Sequence, residues 1–135
     1  MERRRRVLLD EAITRSIIGT FYDVHRALGF GYREHIYALA MERDLVAKGH
    51  QVDREVAVMI YYRGQPLARQ TMDMIVDKRV IVENKATEYL HPGVAEQLSG
   101  YLAATIMEVG LILHFGRKPR FRRMICENRF KRFSN

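Results

Sequence analysis

Apolar residues recur every three or four positions over residues 11–28, where Ile13, Ile17, Phe21, Val24 and Leu28 form one stripe; this spacing predicts an amphipathic helix. Gly29-Phe-Gly31 interrupts it, and a second stripe of Tyr37, Ala38, Met41 and Leu45 predicts a helix over residues 32–48, closed by Gly49. The period then shortens. Val56, Val58 and Ile60 mark a strand over residues 53–62, and Arg63-Gly64-Gln65-Pro66 a turn. Two more strands follow, at 67–76 and 80–86, around a turn near Asp77-Lys78-Arg79. After the break at His91-Pro92-Gly93, Val94, Leu98, Tyr101 and Leu102 line a helix at about 93–106, and short strands are expected at 109–115 and 121–126. The order ααβββαββ predicts an α/β fold, a mixed β-sheet flanked by helices with the central hairpin buried on at least one face.

The register of that hairpin decides where its charges lie. A three-residue turn at 77–79 sets Val76 opposite Val80, Ile75 opposite Ile81, Met74 opposite Val82 and Asp73 opposite Glu83. Directly opposed residues of an antiparallel pair share a face. One face is then Met74, Val76, Val80 and Val82, wholly apolar, and the other gathers Asp73, Glu83 and Lys85 around Ile75 and Ile81. A two-residue turn would mix acids into both faces, so the apolar pattern selects the first register.

The 135 residues suit one domain, 1–135, and a hydrophobic fraction of 47% supplies a core without a disulfide or a structural metal. Cys126 is alone, which favours a reducing compartment and the role of a small buried apolar side chain near the end of a strand. No apolar run reaches the roughly 20 residues that a membrane-spanning helix needs, and the start is too short in apolar residues for a signal peptide, so the expectation is a cytoplasmic protein with no membrane partner. The net charge of +7 is uneven: residues 1–6 carry +3, residues 117–135 carry +7, and the body between them −3. Basic ends attract polyanions, nucleic acid first among them, and Arg117, Lys118, Arg120, Arg122 and Arg123 are the candidate contacts. A solubilising tail is the alternative.

Two carboxylates side by side repel, and loss of water makes that worse. The arrangement is tolerated where a divalent cation sits between them: Mg²⁺ takes hard oxygen ligands, keeps several waters, and can activate water and polarise a phosphoryl oxygen. A lysine on the same face can orient that water or neutralise developing charge. An E-x-K on a strand is also a common solvent-facing ion pair, so the spacing D-x9-E-x-K leaves both readings open.

Asp73 followed by Glu83-Asn84-Lys85 resembles the core of the PD-(D/E)XK nuclease superfamily. Gly31-Tyr-Arg-Glu34-His-Ile-Tyr37 fits G-x-x-E-x-x-Y, the signature of the small bacterial GxxExxY proteins, and the preceding Val24-His25-Arg-Ala-Leu28-Gly29 is similar to that family too. Gln97-Leu-Ser-Gly-Tyr101 fits the Q-x-x-x-Y element of RecB-like nucleases. The resemblance runs from about residue 17 to 126. It implies a restriction-endonuclease-like core with the site at the hairpin. Asp73 and Glu83, approached by Glu34, would ligate Mg²⁺ or Mn²⁺; Lys85 would assist the water; Gln97 and Tyr101 would line the site and touch phosphate. Two positions depart from the pattern: Asn84 replaces the usual aliphatic residue and falls at the end of the apolar face, where it needs a hydrogen-bond partner, and His114 stands in Leu-His-Phe-Gly where the family tends to have asparagine. His114 reads best as a histidine at the core edge; His25, His35, His50 and His91 show no metal-ligand spacing.

The residues alone give plainer readings as well. Glu34 can be a helix-start acid favoured by the macrodipole, and Gln97 with Tyr101 the rim of an amphipathic helix. The leading expectation is a metal-dependent nuclease acting on DNA. Alternatives are a non-catalytic nucleic-acid-binding or protein-interaction module on the same fold, or an accessory subunit of a larger assembly. Oligomerisation is left open.

Overall fold

A computed structural model describes residues 1–132. Helices α1 (Glu2–Leu28) and α2 (Glu34–Ala47) precede strands β1 (Val52–Tyr62), β2 (Gln65–Val76) and β3 (Val80–Lys85); α3 (Gly93–Ala104) then leads to β4 (Val109–Phe115) and β5 (Pro119–Ile125). The five strands form one sheet in the order β1-β2-β3-β4-β5, antiparallel except for β3 and β4, which α3 joins as a parallel pair. A parallel pair needs such a crossover, and a helix is its usual form. The expected order ααβββαββ and the mixed sheet with flanking helices are both present.

The hairpin adopts the expected register, with Met74 opposite Val82, Ile75 opposite Ile81 and Val76 opposite Val80. Its apolar face, Met74, Val76, Val80 and Val82, is fully buried against Ile17 and Phe21 of α1 and Tyr37, Met41 and Leu45 of α2. Each such side chain contributes about 1.5–3 kcal/mol relative to exposure. The opposite face, with Ile75 and Ile81, packs with Leu98, Tyr101 and Leu102 of α3 and with Ile112. Leu98 seats directly on Gly110, where an added Cβ would come within 2.8 Å of its Cδ1, so the missing side chain lets α3 approach β4.

Several boundaries differ from the sequence expectation. α1 begins at Glu2 rather than residue 11. Its first turns expose Val7, Leu8 and Leu9 and so offer no buried stripe to read, and the turns are held by ion pairs from Arg3 to Glu127 and Arg6 to Glu108, with Asp10 buried against Arg79 at 2.5 Å. The basic segments at either end are therefore partly docked. Lys131 donates to the carbonyls of Thr105 and Met107, and Asn128 to that of Ile106, in the segment between α3 and β4. The turn after β1 takes two residues, Arg63 and Gly64, both with positive φ, and Pro66 lies within β2. Proline is tolerated there because β3 pairs only with Met74–Val76 and leaves that side of residues 65–72 open. β5 starts two residues early, at Pro119.

Three histidines, His25, His50 and His114, are structural ties. His50 joins Ser16 Oγ at 2.7 Å to Asp77 Oδ2 at 2.6 Å, tethering α1 to the turn after β2. His25 bonds the carbonyl of Gly116 at 2.7 Å, and His114 is buried with Nε2 2.7 Å from the carbonyl of Thr87, at the core edge as expected. Cys126 is half-buried beside the α3 cluster. Among the described residues no helix is long and apolar enough to cross a membrane.

Candidate active site

At Asp73 the β2–β3 ladder stops, and side chains take over. Glu83 Oε2 accepts the backbone N–H of Asp73 at 2.8 Å, and Asp73 Oδ2 accepts the backbone N–H of Asn84 at 3.1 Å and its Nδ2 at 2.6 Å. The two carboxylates thus latch the strands where backbone pairing ends. This fixes both acids on a rigid hairpin and leaves the second oxygen of each without a hydrogen bond. Asn84 finds in Asp73 the partner that its place at the end of the apolar face requires, though its own Oδ1 stays buried and unpaired. A flipped amide would set that oxygen against the carboxylate, so the orientation is fixed by repulsion.

The same point is where the sheet turns over. Glu55, which stands on β1 between the pairs Arg54–Met74 and Val56–Met72, has φ 53. Left-handed backbone is uncommon for a residue with a side chain and clusters at functional sites. On one side of it Val52 and Met74 pack toward α1 and α2; on the other Val58 and Met72 pack toward α3. The sheet therefore opens at Asp73 between α2 and α3.

A cavity of about 360 Å³ occupies this opening, and Glu34, Asp73, Glu83, Lys85, Gln97 and Tyr101 all line it. The six candidate residues from four elements share one space. Glu34 is the first residue of α2 and lies at the exposed rim, with Oε1 3.6 Å from Lys85 Nζ. Its position depends on Tyr37, whose hydroxyl donates to the carbonyl of Gly29 at 2.5 Å and accepts the N–H of Tyr32 at 3.3 Å. Tyr37 also stacks on Phe115, ring centroids 4.4 Å apart. The tyrosine of G-x-x-E-x-x-Y is thus a clamp on the α1–α2 loop, and the glutamate is what it presents. From α3, Gln97 lies at the exposed edge, while Tyr101 is buried with its hydroxyl 3.4 Å from the carbonyl of Thr71.

Glu83 is only 4% exposed, and burial, reinforced by the neighbouring Asp73 charge, pushes its carboxyl up to about 7 against the bond from the Asp73 amide. Burial and the Glu83 charge also raise the Tyr101 hydroxyl. Both groups therefore resist carrying a negative charge while no cation is present.

Among the described residues no three Asp, Glu, His or Cys side chains converge as a full metal-ligand set. The donors are two carboxylates. That fits Mg²⁺ or Mn²⁺ bound through two carboxylates with water and phosphate oxygens completing the shell. Glu34 faces Lys85 in this arrangement.

Arg54 and Glu55 were not singled out in the sequence, yet both line the cavity, as does His35. Arg54 Nε is buried without a hydrogen bond, 3.8 Å from Asp73 Oδ1, and Nη1 lies 3.6 Å from Glu42. The available signal was parity: Arg54 alternates with Val56, Val58 and Ile60, a charge where a core residue is expected.

The basic candidates divide by the alternation of β5. Arg120 stands opposite His114 and Arg122 opposite Ile112, and these in turn neighbour Lys85 and Glu83 on β3, so both arginines share the sheet face of the acids. They line a second cavity of about 560 Å³ with Arg117, Lys118 and Tyr89. Arg117 is engaged by Glu88 at 2.9 Å and lies over the Phe30 ring. Arg123 stands opposite Leu111, on the α1 side of the sheet, and does not join the others.

No curated protein and no solved structure matches this chain. A family model described as the PD-(D/E)XK nuclease superfamily matches residues 11–124, from the body of α1 to the end of β5. That span contains the mixed sheet, the hairpin and the six residues around its open end, and the fold is consistent with a restriction-endonuclease-like core. The chain belongs to the PD-(D/E)XK nuclease superfamily.

Proposed function

We propose that the protein is a metal-dependent nuclease that hydrolyses phosphodiester bonds in DNA at the Asp73–Glu83–Lys85 pocket. The observation that carries this reading is the latch: two carboxylates fixed by reciprocal bonds to the backbone, each with one oxygen left without a hydrogen bond, in a cavity also lined by Lys85. Asp73 and Glu83 would hold the ion, Mg²⁺ or Mn²⁺, which when bound neutralises their charge and polarises a phosphoryl oxygen. Lys85 presents an ammonium on the same face, two residues along the strand from Glu83, to orient the attacking water and offset charge developing on phosphate. Glu34 steadies that ammonium from the rim. Gln97 and Tyr101 sit one helical turn apart, placed to donate to phosphate oxygens. Arg54, with Nε 3.8 Å from Asp73 Oδ1, helps to orient that carboxylate. The order of the G-x-x-E-x-x-Y, D-E-x-K and Q-x-x-x-Y elements supports a place among the GxxExxY proteins, with a RecB-like third motif.

Arg120 and Arg122, two strands and about 10 Å from Glu83 at normal strand spacing, extend the site as a phosphate track, with Arg117 and Lys118 at its rim. Replacing both Arg120 and Arg122 with alanine should weaken nucleic-acid binding and lower the salt slope by about 2, whereas Arg123→Ala should change neither. Titrations at several salt concentrations measure both, and an equal effect of Arg123→Ala would count against the track.

The reading is tested by incubating the purified chain with linear and circular, single- and double-stranded DNA and with RNA, in Mg²⁺, Mn²⁺ or EDTA. Cleavage that requires metal supports it. Binding without cleavage under every condition would favour a nucleic-acid-binding module on a nuclease fold.

A further inference from the structure

Beyond the active site the sheet continues as a two-stranded ribbon. β3 leaves β2 after Met74, so residues 65–72 of β2 pair with β1 alone. Residues 65–71 are exposed throughout. Such a ribbon has little stability of its own in water, yet it displays large apolar side chains: Tyr61 is 51% exposed, Tyr62 54% and Leu67 65%.

The ribbon grows from the catalytic cavity. Thr71 lines that cavity, and it stands opposite Ala57. The next pair on the same face is Arg69 and Met59, and along β1 the alternation continues to Tyr61, past a shift of register between Ile60 and Tyr61 that leaves Leu67 of β2 unpaired. A single row thus leads outward from the cavity: Thr71, then Arg69 about 7 Å away and Tyr61 about 14 Å away at the usual strand rise. Arg63 caps the tip, its guanidinium 5.0 Å from the centre of the Tyr62 ring. Residues 56–72 carry these two arginines and no Asp or Glu.

The charge of this arm complements a polyanion and repels a second copy of itself. An aromatic ring placed beyond a phosphate-binding cation is the arrangement that grips an unpaired strand, because a base stacks on a ring only when it is free of its own duplex stack. We propose that the β1–β2 ribbon is a substrate clamp for a single-stranded segment next to the scissile bond, with Arg69 on a backbone phosphate and Tyr61 under an unpaired base. In strand order the ribbon lies on the β1–β2 side of the acids and Arg120 and Arg122 on the β5 side. The clamp rests on the nuclease reading above and adds the substrate class.

The test measures binding of the full chain, in EDTA so that nothing is cut, to a fluorescent single-stranded DNA oligonucleotide and to its blunt duplex. Tyr61→Ala should weaken single-strand binding about tenfold and leave duplex binding unchanged, and Tyr61→Phe, which keeps the ring, should restore it. Arg69→Ala should weaken single-strand binding and reduce its salt slope by about 0.7. Undiminished single-strand affinity in Tyr61→Ala, or an equal loss on duplex, overturns the clamp. So does light scattering that shows a dimer of the wild type split by Tyr61→Ala, which would make the ribbon a contact between copies. If the wild type binds neither oligonucleotide, the clamp is overturned, and metal-dependent cleavage alone decides the nuclease reading.

Discussion

Lys85→Ala should lower metal-dependent cleavage by about 10²–10⁴-fold, the range for loss of a positioned proton-transfer or charge-stabilising group, while the fold survives. The two effects separate because the lysine contributes little to stability. Its contact is with Glu34 at 3.6 Å, and both side chains are partly open to solvent; such pairs are worth about 0–1 kcal/mol. In the site, by contrast, Lys85 is the one lysine lining the cavity among the described residues. Single-turnover cleavage beside thermal unfolding resolves the two. Full activity in the variant would remove Lys85 from the chemistry, and a collapsed melting transition would show that it holds the hairpin together.

Glu83→Gln should stabilise the metal-free protein at pH 8 and have little effect at pH 4.5. Burial raises the Glu83 carboxyl from 4.5 to about 7 in the folded chain. The folded state therefore holds that proton more tightly than the unfolded state. The associated stability is fully present below pH 4.5 and is lost as pH rises through 7, a loss of roughly 3 kcal/mol at about 1.4 kcal/mol per pH unit. Glutamine carries no charge to bury and can still accept the Asp73 amide, so it escapes that penalty. Mg²⁺ or Mn²⁺ should then raise the melting temperature of the wild type at pH 8 far more than that of the variant. Melting curves at both pH values, with EDTA or metal, measure this. A difference between wild type and variant that stays constant with pH would mean that Glu83 is not an ionised group held under strain.

The central hairpin was the most legible part of the sequence because it is the most constrained. Met74, Val76, Val80 and Val82 tolerate only one register if all four are to be buried, and that register carries Asp73, Glu83 and Lys85 to one opening. Tyr37, Met41 and Leu45 likewise fixed the inner face of α2 and with it the rim position of Glu34. Less was legible where packing supplies no pattern. The first turns of α1 expose their apolar residues, so the helix start depends on Arg3, Arg6 and Asp10 finding partners far along the chain. Arg54 offered only its parity with Val56, Val58 and Ile60 as a signal, and neither the left-handed turn at Glu55 nor the change of sheet face has a local signature. The basic run at 117–123 gave the charge but concealed its division, since alternation sends Arg123 away from Arg120 and Arg122. The ribbon was hidden by length: nothing local says that β3 stops pairing at Met74 while β2 runs on.

The claim on which the account depends is that Asp73 and Glu83 together hold a divalent cation. Titrating the purified chain with Mn²⁺ and following the free ion by electron paramagnetic resonance tests it without reference to any substrate. The wild type should remove Mn²⁺ from solution and release it to excess Mg²⁺, and the double variant Asp73→Asn/Glu83→Gln should remove none. Uptake that is undiminished in the double variant, or absent from the wild type, would contradict the account.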